Sequence, residues 1–237
     1  MQDQWKMAIS AIARLSLPQR EIVRKTSPKP RTRLFGATPV RFGAIPSARR
    51  LSAAMQEGAV EPATAMRCAT AICEAVIDRI HGDADDAPGF MALVQRINTS
   101  VNAQIRYAAD TETVGQLDHW SMPAETIERG AGDCEDFAIL KMAALEEAGV
   151  PAKSMSVVVL KDTRRHLYHA VLAIRTNAGF LILDNARDDV LLDSQIPEYR
   201  PLYSVGAAGN HIYGYRQNTQ TALSLGNFNE IAPGAGY

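Results

Sequence analysis

Apolar residues recur at helical spacing through the first two thirds of the chain and gather into strand-like runs after it. From Pro62 to about Ile80 the spacing predicts a helix, and Gly82 to Gly89 is an acidic loop. A second helix is expected from about Phe90 to Tyr107, with Leu93, Val94, Ile97, Val101 and Ile105 on one face. Asp110 to Asp118 is polar and loop-like. Pro123 opens a short helix, with Ser121 as its candidate N-cap. The clearest helix follows. Asp133 is the candidate N-cap, Asp136 sits three residues on as a capping-box variant, and Phe137, Ile139, Leu140, Met142, Ala143 and Leu145 form the stripe to be buried. Gly149 ends this helix and Pro151 forbids its continuation.

Beyond Pro151 the pattern changes to strands. Ser156 to Leu160, His169 to Arg175 and Phe180 to Leu183 are expected strands, with Asn177-Ala178-Gly179 turning between the last two. Pro201 to Ser204 and Asn210 to Arg216 add short edge strands. Three regions follow: a basic, flexible N-terminal extension over 1–50, a folded domain over 51–220 and a polar, Gly-rich flexible tail over 221–237. The extension holds a short amphipathic segment, Trp5 to Leu17, and a breaker-rich linker, Ser27-Pro28-Lys29-Pro30-Arg31. No internal repeat is present.

The chain is 46% hydrophobic and 22% charged, as a globular protein is, and its net charge of -1 provides no global attraction to nucleic acid. No run of about 18 apolar residues exists to span a membrane. Met7 to Leu17 is interrupted by Arg14 and is a poor secretory signal, which by itself points to the cytoplasm or to a misplaced start codon. Cys68 and Cys73 are five apart and point in different directions on one helix, so they are expected to be small buried residues and not a disulfide. The histidines are scattered and no Cys-x-x-Cys occurs, which argues against zinc. No phosphate-binding glycine loop is present, and no organic cofactor is expected.

The chemistry concentrates in Gly130-Ala131-Gly132-Asp133-Cys134-Glu135-Asp136-Phe137. A thiol in the first turn of a helix gains from the positive end of the helix dipole, and the free N–H groups there can hold an oxyanion. Asp133, Glu135 and Asp136 oppose thiolate formation, so a neutralising partner is expected, either an imidazolium or a hard cation such as Ca²⁺. His169 opens one strand and Asp184 closes the next, so a tight turn brings them within a residue or two of register. Cys134, His169 and Asp184 then form a nucleophile, base and orienting carboxylate. His166 lies in a polar turn and is a poorer base. Taken singly, Cys134 could be a buried apolar residue, Asp184 a turn residue and Asp133 only a cap.

The elements Gly132-Asp133-Cys134-Glu135-Asp136-Phe137-Ala138, His169-Ala170-Val171-Leu172 and Leu183-Asp184-Asn185 resemble the bacterial transglutaminase-like cysteine proteinases, the family of LapG-type proteases that release biofilm adhesins. Val101-Asn102, Ile105, Trp120 and Pro123 extend the resemblance, which covers roughly residues 90 to 205. It implies an α+β, papain-like or transglutaminase-like fold with the nucleophile helix packed on an antiparallel sheet, and a Cys134, His169, Asp184 triad. It also implies Ca²⁺ on Asp133, Glu135 and Asp136, a periplasmic setting, an adhesin substrate and an inner-membrane cyclic-di-GMP receptor as partner. Trp120 is a candidate oxyanion donor beside the Cys134 N–H. The open alternatives are transglutaminase or amidase acyl transfer through the same acyl-enzyme, and an idle peptide-binding module.

Overall fold

The structure is a computed structural model that describes residues 33–43, 48–49, 51–52, 71–85, 87–215, 231 and 233–234. Trp5 to Leu17, the basic linker and Cys68 lie outside the described residues, as does the side chain of Cys73. In chain order the elements are β1 (Thr38–Phe42), α1 (Ala71–Asp85), α2 (Phe90–Gln104), β2 (Arg106–Tyr107), α3 (Asp110–Thr113), α4 (Pro123–Arg129), β3 (Ala131–Gly132), α5 (Cys134–Glu147), β4 (Met155–Asp162), β5 (Leu167–Arg175), β6 (Phe180–Asp184), β7 (Arg187–Leu192), β8 (Tyr199–Val205) and β9 (Asn210–Gly214). Seven strands make one antiparallel sheet in the order β1-β9-β8-β4-β5-β6-β7, and β2 and β3 form a small parallel pair.

The sheet is an α+β layer with apolar contacts on both faces. Val157, Val159, Ala170, Leu172 and Ile174 pack toward α5 together with Val94, Ile97 and Val101 of α2. On the other face Val158, Leu160, Val171, Ala173 and Ile182 are covered by Leu34, Phe35, Ile196 and Tyr199. Strand alternation sends successive residues to opposite faces, and both are apolar, so β4 and β5 read as continuous hydrophobic runs. Helix α5 is buried on every side from Cys134 to Leu145, with Glu135, Asp136 and Lys141 among the buried residues. It is the central helix, rather than a surface helix with one apolar stripe.

Several expectations change. The first helix runs on through the acidic residues to Asp85, and the second stops at Gln104, so that Arg106 and Tyr107 can pair with Ala131 and Gly132. One helical turn, α3, forms within the expected loop. The N-cap of α4 is Met122, not Ser121. The Met122 N–H donates to Glu125, while the Ser121 N–H is given to Asp136. β8 and β9 lie inside the sheet, and the edges are β1 and β7. β1 falls in the stretch read as an N-terminal extension. Ile231, in the stretch read as a flexible tail, joins the core at 8% exposure.

Candidate active site

The thiol, imidazole and carboxylate come from α5, β5 and β6. Asp133 occupies the N-cap position of α5 and Cys134 is its first residue. The Cys134 side chain is buried, and its Sγ accepts the Ala170 N–H at 3.3 Å. Ala170 is the neighbour of His169, so the thiol meets β5 beside the imidazole. Continuing the pairing of Leu172 with Leu183 sets Asp184 across from Val171, two residues from His169 on the same face. That diagonal is short enough for His169 Nε2 to meet Asp184 Oδ1 at 2.8 Å, with the two side chains 3% and 0% exposed.

Asp184 is held from several directions. The Ala186 N–H donates to Oδ1 at 2.9 Å, the Tyr199 hydroxyl to Oδ2 at 2.6 Å, and Arg187 Nε lies 3.5 Å from Oδ2. Burial pushes this carboxyl up, but His169, Tyr199 and Ala186 outweigh burial and hold it well below the usual carboxylate range. The Tyr199 ring also stands edge-on to His169, with centroids 5.9 Å apart. Sequence reasoning missed Tyr199 and Arg187. Tyr199 arrives from β8, separated from β6 by β4 and β5 in the sheet, and no local pattern marks it.

The acidic residues around the thiol separate into two groups. Asp110, Asp133 and Glu135 place ligand oxygens within 4.8 Å of one another. Asp136 turns the other way, taking the Ser121 N–H at 2.8 Å on Oδ1 and Arg129 at 3.1 Å on Oδ2. Gly132 makes room for this arrangement, since a Cβ there would sit 2.6 Å from Asp136 Oδ2. The glycine therefore accommodates a carboxylate. Asp136 also leaves the expected capping box unformed, because its carboxylate is spent outside its own helix. Asp118 stands beside Glu135 and takes the Trp120 indole N–H at 3.1 Å. Trp120 is 2% exposed and its donor is committed to Asp118, so it has none left for an oxyanion.

Burial and mutual repulsion raise this cluster. Burial pushes Asp133 up to about 8, with Asp136, Asp110 and Asp118 adding to the effect against a hydrogen bond from Glu135. Glu135 is raised well above the usual range by burial and then by Asp133. The Cys134 thiol is raised by burial and then by Glu135 and Asp133. Asp110 Oδ1, Asp133 Oδ1 and Glu135 Oε1 are buried without a hydrogen-bond partner. A hard divalent cation suits them. Oxygens held at 2.3–2.6 Å from one Ca²⁺ lie at most about 5 Å apart, the spacing seen here. Asp110, a residue no motif pointed to, is in this group because α3 lies against β3, just before Asp133.

The sequence profile of the bacterial transglutaminase-like cysteine proteinases (BTLCP) matches residues 65–204. Calcium-bound LapG of Legionella pneumophila is 26% identical, over 79% of this chain and 96% of that one, at a TM-score of 0.50. The EGTA-treated form of LapG from the same organism is also 26% identical, over 80% of this chain and 96% of its own, with the same TM-score of 0.50. No curated protein matches the chain.

Proposed function

The chain belongs to the bacterial transglutaminase-like cysteine proteinases and is a cysteine peptidase; from that premise we propose that Cys134, His169 and Asp184 are its catalytic residues and that Ca²⁺ supports them. The observation that carries the proposal is the thiol at the head of α5 on the Ala170 N–H, beside an imidazole bound at 2.8 Å to a buried carboxylate. Asp184 occupies His169 Nε2, which directs that nitrogen to carry the proton and leaves Nδ1 as the base. His169 takes the thiol proton through Nδ1, Cys134 Sγ attacks the peptide carbonyl, and the same imidazole returns the proton to the leaving amine. The N–H groups at the start of α5 hold the developing oxyanion.

Asp110, Asp133 and Glu135, with Asp118 beside them, would hold the ion. Bound there, Ca²⁺ supplies positive charge against the carboxylates that raise the thiol, and so favours thiolate. The LapG relative described as calcium-bound supports this reading. The substrate is a bacterial protein, such as a surface adhesin, cut in the periplasm under control of a membrane receptor. No helix among the described residues is long and apolar enough to cross a membrane.

Iodoacetamide labelling near neutral pH, mapped by mass spectrometry, tests the nucleophile and the ion together. Cys134 should be modified faster than Cys68 and Cys73, at a rate that differs between Ca²⁺ and chelator, and Cys134→Ala should abolish cleavage. Labelling no faster than at the other two cysteines, and indifferent to Ca²⁺, would sink the proposal.

A further inference from the structure

We propose that the edge of β5 at Tyr168 and Ala170 is a seat for peptide backbone, and that this chain fills it with its own Gly234. The Gly234 N–H donates to the Tyr168 carbonyl at 2.7 Å. Tyr168 and Ala170 are two apart in one strand, so their backbone groups point to the same edge. Ala170 spends its N–H on Cys134 Sγ, which identifies this as the edge facing the nucleophile. β6 pairs with Leu172 to Arg175 of β5 and does not reach Tyr168.

The opposite wall is Tyr107. Its partner in β3 is Gly132, two residues before Cys134, and its hydroxyl is raised by burial and then by Cys134, Asp133 and Glu135. Gly234 thus sits between a residue adjoining the nucleophile and the residue preceding His169. It is anchored from its own side, because Ile231 joins the core and Pro233 is buried. The seat is shaped for glycine. Gly234 has φ +86, which L side chains rarely adopt, and a Cβ would lie 2.9 Å from the Tyr107 hydroxyl. Addition of a backbone to an open strand edge is a common way of holding a peptide. A peptide held here passes beside the thiol, so the seated tail competes with any other peptide for this edge. That competition bears on catalysis only if Cys134 is the nucleophile; the seat itself does not depend on it.

The test uses the full chain and a fluorescein-labelled peptide of residues 229–237, read by polarisation, with no chemical step. A tethered segment competes at an effective concentration of about millimolar, so the wild-type chain should bind the peptide at least ~10-fold more weakly than Gly234→Val. The same peptide carrying valine in place of Gly234 should not bind the variant. Equal affinity for the two chains, absence of binding to both, or equal binding of the two peptides would overturn the seat. Alkylation of Cys134 in the same samples separates the two proposals. Peptide binding with an inert Cys134 leaves the seat standing and removes the nucleophile. A reactive Cys134 without binding does the reverse.

Discussion

Lys141 lies two helical turns below Cys134 on α5, fully buried, with Nζ lacking any hydrogen-bond partner and standing 5.7 Å from the Phe137 ring centroid. Burial lowers it from 10.5 to about 7, although Asp184 and Asp188 pull the other way. At about 1.4 kcal/mol per tenfold change in proton affinity, that gap corresponds to about 5 kcal/mol. The sign follows from proton counting. Between about pH 7 and 10.5 the unfolded chain holds this proton more tightly than the folded chain, so stability rises with pH across that window. Lys141→Met keeps the shape of the side chain and removes the titration. The variant should be more stable than wild type by about 4 kcal/mol near neutral pH, with the gain shrinking toward pH 10. Urea unfolding of both chains at several pH values measures it, and taking the difference cancels the other titrating groups. A variant less stable at every pH, or a difference that does not vary with pH, would refute the reasoning and show a lysine that is charged and well solvated in the folded chain.

Tyr199→Phe removes one of the donors to Asp184 Oδ2 and should cost about 1.5–3 kcal/mol in stability, together with a fall in kcat. Asp184 is depressed in the folded chain, so its stabilisation is present above the ordinary aspartate value and lost as pH falls. In Tyr199→Phe Asp184 is less depressed, so the loss starts at the same ordinary aspartate value but is smaller and complete at higher pH, and the stability gap between the two chains should narrow on acidification; a gap that does not vary with pH would contradict the role given to Tyr199. Asp110→Asn should abolish the Ca²⁺-induced rise in Tm, whereas Asp136→Asn, whose carboxylate is turned to Arg129 and Ser121, should keep that rise. Calorimetry that finds the reverse would return the ion to Asp136. Asp133 is raised to about 8, so the folded chain without Ca²⁺ holds more protons than the unfolded one; its contribution to stability should fall as pH rises toward 8. Melts of wild type and Asp133→Asn in EGTA should differ by that slope, and saturating Ca²⁺ should flatten it; parallel curves in EGTA would refute it.

Helix α5 and strands β4, β5 and β6 were legible because their periodicities are local properties of the chain. The pairing of His169 with Asp184 was legible for the same reason, since a short hairpin leaves little freedom in register. The separation of Asp136 from Asp133 and Glu135 was not. Three carboxylates within four residues look alike in a sequence, and the partners that distinguish them, Arg129, Ser121 and Asp110, arrive from other elements. β1 was hidden because its residues are mostly exposed and carry no apolar alternation.

By itself the sequence determined where the reactive groups lie along the chain: a thiol at a helix start, a histidine and an aspartate one hairpin apart, and acidic neighbours that need neutralising. It could do so because each of these rests on contacts a few residues long, where chain geometry leaves few choices. Only the tertiary structure decided what surrounds them. It brought Tyr199 across two strands to Asp184, committed the Trp120 N–H to Asp118, brought Asp110 beside Asp133, and laid Gly234 on the carbonyl next to His169. Those contacts join residues from separate elements. Burial makes each unpaired polar group costly, so the packed chain settles which partners meet.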